Sequence, residues 1–154
     1  FLDSEVTSDY EVLDNVDAYQ YFFGDEDLRY GLRENIRGNR LAKSPEFTAD
    51  LSVVYETDLA SGNSLTAIMQ YVKRGEFEQR VSNNPIVDSI PAYDIFNITV
   101  GIDFMNSVSV DFMLLNATDE DGINSSMTDV FGVAASGLEL IPPRQIMTRI
   151  SYDF

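Results

Sequence analysis

Ile146-Met147-Thr148-Arg149-Ile150-Ser151-Tyr152-Asp153-Phe154, the last nine residues, decides the fold. Ile146, Thr148, Ile150, Tyr152 and Phe154 share one parity, and Met147, Arg149, Ser151 and Asp153 share the other. Successive side chains of an extended chain point to opposite sides, so this stretch reads as a strand with one apolar and one polar face. It closes on an aromatic residue.

The same period of two recurs upstream. Phe96, Ile98, Val100, Ile102 and Phe104 alternate with Ile95, Asn97, Thr99, Gly101 and Asp103. Beyond the short turn at Met105-Asn106, Val108, Val110, Phe112 and Leu114 alternate with Ser107, Ser109, Asp111 and Met113, which completes a hairpin. Phe47, Ala49, Leu51, Val53 and Tyr55 alternate with Thr48, Asp50, Ser52, Val54 and Glu56. The turn Leu59-Ala60-Ser61-Gly62-Asn63 then leads to a strand over residues 64–74, where Ile68 and Val72 share a face with Thr66 and Gln70. Residues 1–7 read as the stub of one earlier strand.

The connections differ sharply in length. Two turns are short, whereas the connections at residues 8–44, 75–93 and 116–143 are long, and short and long alternate along the chain. Compact soluble domains rarely hold structureless loops of that length. Outer-membrane barrels combine short periplasmic turns, long extracellular loops and spanning strands of roughly 9–11 residues. A soluble secreted β-sandwich, acting as an adhesin or binding module, alternates in the same way and is the competing reading. The one-sided loop lengths and the aromatic C-terminus favour the barrel.

Composition removes several classes of function. Of 154 residues, 44% are hydrophobic and 12% aromatic, enough for a packed structure. Ten Lys and Arg stand against 26 Asp and Glu, for a formal charge of −16, which excludes a phosphate-binding surface for nucleic acid. There is no Cys and no His. Disulfides, Cys/His zinc sites, His-ligated haem and His-activated nucleophiles are therefore ruled out, and no cofactor is expected. The longest apolar run of note, Phe112-Met113-Leu114-Leu115, is far short of a membrane helix at ~18 residues. A chain that starts at Phe1, without an initiator Met or signal sequence, reads as a processed or truncated product.

Three segments carry a resemblance to TonB-dependent outer-membrane receptors, in the C-terminal part of their β-barrel. Gly38-Asn39-Arg40-Leu41-Ala42-Lys43-Ser44-Pro45-Glu46-Phe47-Thr48 resembles the pattern with which that family begins a downward strand. Leu115-Asn116-Ala117-Thr118-Asp119-Glu120 resembles the family's N-L-x-D-E at the top of the penultimate strand, with Ala117 where Leu is usual. Pro142-Pro143-Arg144 resembles the opening of the last strand. The resemblance implies an all-β fold: about five antiparallel strands and a stub, forming the C-terminal segment of a transmembrane 22-stranded barrel whose plug domain lies outside the chain. It also implies residence in the outer membrane of a Gram-negative bacterium and active uptake of a scarce nutrient, such as a siderophore, cobalamin or carbohydrate. The partners implied are the TonB complex, through the missing N-terminal part, the barrel-assembly machinery, and outer-membrane lipid and lipopolysaccharide. Ile146, Ile150, Tyr152 and Phe154 take the place of the terminal assembly signal, a role compatible with simply facing lipid. A passive porin-like channel is the alternative within the membrane.

Candidate sites follow from this frame. Aromatic side chains on an exposed loop can stack on a ligand. Tyr19, Tyr21, Phe22, Phe23, Arg29, Tyr30 and Arg33 are the candidate ligand-facing residues of the first long loop, which also holds Tyr10. Packing of that loop against its neighbours is the plainer alternative, and its acidity reads as surface solvation. Tyr55, Phe104, Tyr152 and Phe154 are expected at strand ends in an aromatic girdle. Asp119-Glu120-Asp121-Gly122-Ile123-Asn124 faintly resembles a calcium loop, but Val130 stands where the final Glu belongs, and no metal site is expected. Asp50, Asp103, Asp111 and Asp153 share the polar face and read as its wet lining, with Arg149 as a partner, in preference to a hydrolytic carboxylate pair. No enzymatic activity is expected.

Overall fold

The computed structural model describes residues 2–14, 33–128 and 136–154, and among these every regular element is a β-strand. The strands are β1 (Glu11–Leu13), β2 (Arg33–Asn35), β3 (Thr48–Asp58), β4 (Ser64–Arg74), β5 (Phe77–Glu78), β6 (Ser89–Ile90), β7 (Tyr93–Asp103), β8 (Val108–Leu115), β9 (Ile123–Thr128), β10 (Ser136–Leu140) and β11 (Gln145–Tyr152). No helix is long and apolar enough to cross a membrane. The chain divides into two compact units, each treated by itself.

The larger sheet, in the unit formed by residues 48–74, 93–121 and 142–154, is a five-stranded antiparallel meander in the order β11-β8-β7-β4-β3. Its strands are those the alternating pattern predicts. β3 and β4 pair along their whole length from Thr48↔Arg74 to Asp58↔Ser64, and β4 and β7 from Ser64↔Asp103 to Arg74↔Tyr93. β8 and β11 pair from Gln145↔Leu115 to Tyr152↔Val108. Eleven residues at ~3.3 Å each span about 36 Å. Tilted ~40°, such a strand crosses about 28 Å, close to the hydrocarbon thickness of a bilayer.

Both hairpin turns lie at one end of the sheet and all long connections attach at the other. In the first turn, Gly62 N–H bonds Leu59 C=O at 2.9 Å with φ at 81°, a backbone conformation that glycine adopts without strain, and a Cβ there would also displace the Met105 side chain. In the second, Ser107 adopts φ 67° and donates to Phe104 C=O. The Met105 N–H donates to Asn63 Oδ1 at 3.2 Å, which ties the two turns together.

The other unit gathers residues 2–47, 75–92 and 122–141. Its hairpins β1–β2, β5–β6 and β9–β10 lie within the three long connections, which are therefore not structureless. All four buried apolar side chains of the described residues, Ile36, Phe77, Ile90 and Ile141, belong here. Phe77 opposes Ile90 in the β5–β6 pair, and each is 1% exposed. The expected stub at residues 1–7 is not a strand of the large sheet. Glu5 makes a single bridge to Arg40, while Leu2 N–H bonds Glu46 C=O and Val6 N–H bonds Asn39 C=O, so the segment runs beside residues 38–46 instead. With Phe1, Leu2 and Val6 as its apolar residues, the segment lacks the alternation that the true strands have.

Phe77→Ala empties the apolar centre of this unit. The expected cost is about 3–5 kcal/mol, measured as the drop in hydrogen-exchange opening free energy of the amides of residues 77 and 90.

Candidate functional site

The register of the large sheet sorts its side chains completely. Cross-strand partners share a face, so one face carries the rows Leu51-Tyr71-Phe96, Val53-Met69-Ile98-Leu114-Ile146, Tyr55-Ala67-Val100-Phe112-Thr148 and Thr57-Leu65-Ile102-Val110-Ile150. These four rows are apolar from edge to edge but for Thr57 and Thr148, and nothing within their unit covers them. Leu51 is 62% exposed, Tyr55 58% and Ile150 71%, and no apolar residue of the sheet is buried. Aromatic residues bound the apolar rows at both ends. Tyr71 and Phe96 stand in the apolar row nearest the long connections, with Ala49-Lys73-Asp94 beyond it, and Tyr152 leads to Phe154 at the end where the hairpin turns lie. Phe104 follows β7 at the same end. Tyr55 lies further in than its expected place at a strand end, since β3 continues to Asp58.

The opposite face carries Glu56-Thr66-Gly101-Asp111-Arg149 and Asp58-Ser64-Asp103-Ser109-Ser151 as consecutive rows. Asp111 pairs with Arg149 at 2.8 Å. Gly101 opposite leaves room for that carboxylate, because a Cβ on it would sit 2.7 Å from Asp111 Oδ1. Ser64 Oγ lies 3.5 Å from Asp103 Oδ2, and Glu56, Asp58, Thr66 and Asp103 line an open polar hollow of about 440 Å³. One row nearer the long connections, Val54-Ile68-Thr99-Met113-Met147 is mostly apolar.

A chain of side-chain amides crosses the polar face. Gln70 Nε2 donates to Asp50 Oδ2 at 3.0 Å, and Asn97 Nδ2 donates to Gln70 Oε1 at 3.2 Å. Asn97 Oδ1 in turn accepts from Asn116 N–H at 2.9 Å. Asn116, 3% exposed and at φ 49°, donates through Nδ2 to Glu120 C=O and Pro142 C=O and accepts Glu120 N–H at Oδ1. Asp119 takes the N–H of Arg144 at 3.0 Å and its guanidinium at 3.2 Å. Ile95, Leu115, Asn116, Pro142, Pro143 and Gln145 border a shallow hollow of about 190 Å³ beside this clamp. The carboxylate of Asp119 is thus spoken for by Arg144, and no group of three or more Asp, Glu, His or Cys fit for a metal ion occurs among the described residues.

In the other unit the centre is ionic. Asp14 and Asp88, both fully buried, flank Arg80. Arg80 Nη1 lies 3.0 Å from Asp14 and Nε 2.6 Å from Asp88. Asn84 completes the knot, its N–H on Asp88 at 2.7 Å and its Nδ2 on Asp14 at 2.8 Å. Burial alone would lower the Arg80 pKa, but hydrogen bonds and charges from Asp88 and Asp14 outweigh it, and the net movement is upward. Glu78 moves upward too, through burial first, with Arg40 opposing and Asp88 and Glu76 adding to the rise. Its Oε2 is buried without a hydrogen-bond partner among the described residues. Asn83, at φ 51°, and Asn39 stitch residues 39–40 to 80–83 through bonds of 2.6–3.0 Å.

Of the candidate ligand-facing residues, Tyr19, Tyr21, Phe22, Phe23, Arg29 and Tyr30 lie outside the described residues. Arg33 sits on β2, exposed, with its guanidinium 3.9 Å from Glu11. Ile146, Ile150 and Tyr152 come together on the apolar face of β11, with Phe154 just beyond its end. Asp50, Asp103 and Asp111 each have a polar partner on their face, whereas Asp153 contributes its backbone N–H to Ser107 C=O. The amide chain and the Arg80 knot carry little local sequence signal, since apart from Asn84 and Asp88, four residues apart, their bonded members are 8 to 70 residues apart. Comparison with protein-family models, with curated proteins and with solved structures found no match to the chain.

The knot and Glu78 generate opposite expectations. Arg80→Met strands two buried carboxylates, and the unit should lose about 3–5 kcal/mol, read as the same hydrogen-exchange opening energy. For Glu78 the folded pKa exceeds the ordinary 4.5, so its favourable contribution is fully present below that value and is lost as pH rises through the folded pKa. Glu78→Gln should therefore stabilise the unit at neutral pH, and the gain over wild type should vanish at about pH 4. Equal gains at both pH values would show that ionisation of Glu78 is not the cause.

Proposed function

We propose that the chain supplies the C-terminal strands of a transmembrane β-barrel in the outer membrane of a Gram-negative bacterium, of the TonB-dependent receptor type, and that the parent protein takes up a scarce nutrient such as a siderophore, cobalamin or carbohydrate. The observation that carries this reading is the bare apolar face of the large sheet, aromatic at both ends and opposed by a polar face. In water, such a face would leave many large side chains unburied, far beyond the few hundred Å² typical of a soluble surface. Against hydrocarbon it is already in its preferred solvent, and the polar face becomes the wall of a wet lumen.

Strand direction agrees. Five antiparallel strands leave β3 and β11 running the same way, so closure with antiparallel pairing throughout needs an odd number of further strands, which the even-numbered bacterial barrels supply. The transporter assignment within that class rests on the three resembling segments. Two of them meet through Asn116–Pro142, 26 residues apart, and Asp119–Arg144, 25 residues apart. In this reading the barrel-assembly machinery receives β11 as an edge strand, lipid and lipopolysaccharide contact the apolar face, and TonB acts on a plug outside the chain. No chemical step is assigned to any residue.

The reading is tested on the full-length protein in two ways. Ile150→Trp and Ser109→Trp report the two faces of the sheet in bilayers containing brominated acyl chains. Quenching at position 150 and little at 109 supports a lipid-facing surface; equal emission at both replaces the barrel with a soluble sandwich. Deleting Phe154 should lower the assembled level in the outer-membrane fraction, and cross-linking to TonB in cells separates an energised receptor from a passive channel.

A further inference from the structure

We infer that Asn116 and Asp119 form a register lock that selects one pairing of the terminal strand β11 on β8. The need for a lock comes from the pattern itself. A slip of one residue would turn Ile146, Ile150 and Tyr152 onto the polar face and is excluded by solvent. A slip of two leaves every face unchanged. Ile146 would then oppose Phe112 instead of Leu114, and Ile150 would oppose Val108 or Phe112 instead of Val110. Aliphatic partners discriminate weakly between these pairings. Within the paired strands, only Asp111–Arg149 marks the observed one, and Arg149 is largely exposed.

The discriminating contacts lie just past the strand ends. Asn116 Nδ2 holds Pro142 C=O at 3.1 Å, and Asp119 holds the backbone N–H and the guanidinium of Arg144. These fix where the chain enters β11 at Gln145. The holder is itself fixed from the other side, because Asn116 N–H is bound by Asn97 Oδ1 and Ala117 N–H by Phe96 C=O, both on β7. Left-handed backbone at Asn116 and Asp119 (φ 49° and 59°) aims both side chains across the turn, a conformation asparagine and aspartate adopt more readily than most residues. A two-residue slip would carry Pro142 and Arg144 several ångströms past these groups and break every bond of the clamp at once. Asn116 and Asp119 are thus positioning residues for the last strand, independent of whether the sheet meets lipid or water.

The test is a disulfide census. The chain has no cysteine, so introduced pairs report without background. Asp153 N–H bonds Ser107 C=O, which makes 107/153 a hydrogen-bonded pair and 110/150 a closer, non-hydrogen-bonded one suited to cross-linking. Val110→Cys is combined in the full-length protein with Ile150→Cys for the observed register, or with Thr148→Cys or Tyr152→Cys for the two slipped ones. In the unaltered background only the 110/150 pair should oxidise readily. In the Asn116→Asp/Asp119→Gly background, which keeps residues tolerant of positive φ, the ratio of slipped to registered product should rise about tenfold or more, as the loss of several hydrogen bonds implies. An unchanged ratio overturns the lock. If the double variant yields no cross-link in any pairing, Asn116→Asp alone decides, since it keeps the side-chain shape and the acceptor for Glu120 N–H; absence of any rise in slipped product there overturns the lock as well. The measurement reads the same in micelles or in buffer, so its failure is distinct from failure of the membrane reading.

Discussion

Cross-strand register is the constraint on which the large sheet depends. With partners such as Tyr71 and Phe96, or Val100 and Phe112, directly opposite, a period of two in each strand becomes an apolar surface on one side and gathers the acidic and amide side chains on the other, where the Val54-Ile68-Thr99-Met113-Met147 row interrupts them. A one-residue error in a single pair would put acidic side chains such as Asp111 among aliphatic ones. The sheet is one layer thick in its unit and buries no apolar side chain, so stacking against another layer cannot enforce that register. Solvent preference on the two faces and polar contacts at the strand ends must do so instead.

The other unit solves the opposite problem. Its segments, drawn from three long connections, are joined by few apolar contacts and many polar ones. Among the described residues, Asp14, Ser82, Asn84, Asp88 and Ser126 are buried there beside four apolar ones. An arginine between two buried carboxylates satisfies charge and hydrogen bonds together, and removal of one member leaves the rest desolvated without compensation. Such a centre specifies one arrangement of irregular chain, where an apolar centre of the same size would accept several.

The five long strands were legible in the sequence because their signal is local: alternation needs only neighbours two residues away. Even the mixed face of β4, with Ile68 and Val72 beside Thr66 and Gln70, follows from parity. The hairpins β5–β6 and β9–β10 were not legible, since strands of two to six residues with Ser, Asn and Glu carry no clear period. The aromatic row Tyr71-Phe96 escaped for a different reason: each residue lies inside its strand, and only the register shows that they share a level. Asn116 and Asp119 stood in a recognisable segment, but their partners Asn97 and Arg144 are 19 and 25 residues away, beyond what spacing along a chain reveals.

The distance between Asp14 and Arg80 along the chain also sets the entropy that their contact must overcome. Each β-hairpin of the large sheet closes a loop of a few residues, whereas the Asp14–Arg80 contact closes one of 66 and the Asn84–Asp14 contact one of 70. The entropy of such closures is repaid only when several of them form together. The meander between them shortens the path, because pairing β3 with β4 brings Phe47 and Gly75 within hydrogen-bond distance at 2.7 Å. On loop-closure entropy alone the β3–β4 hairpin is the less costly contact, and once formed it acts as a splint that turns the remote encounter of Asp14 with Arg80 into a near one.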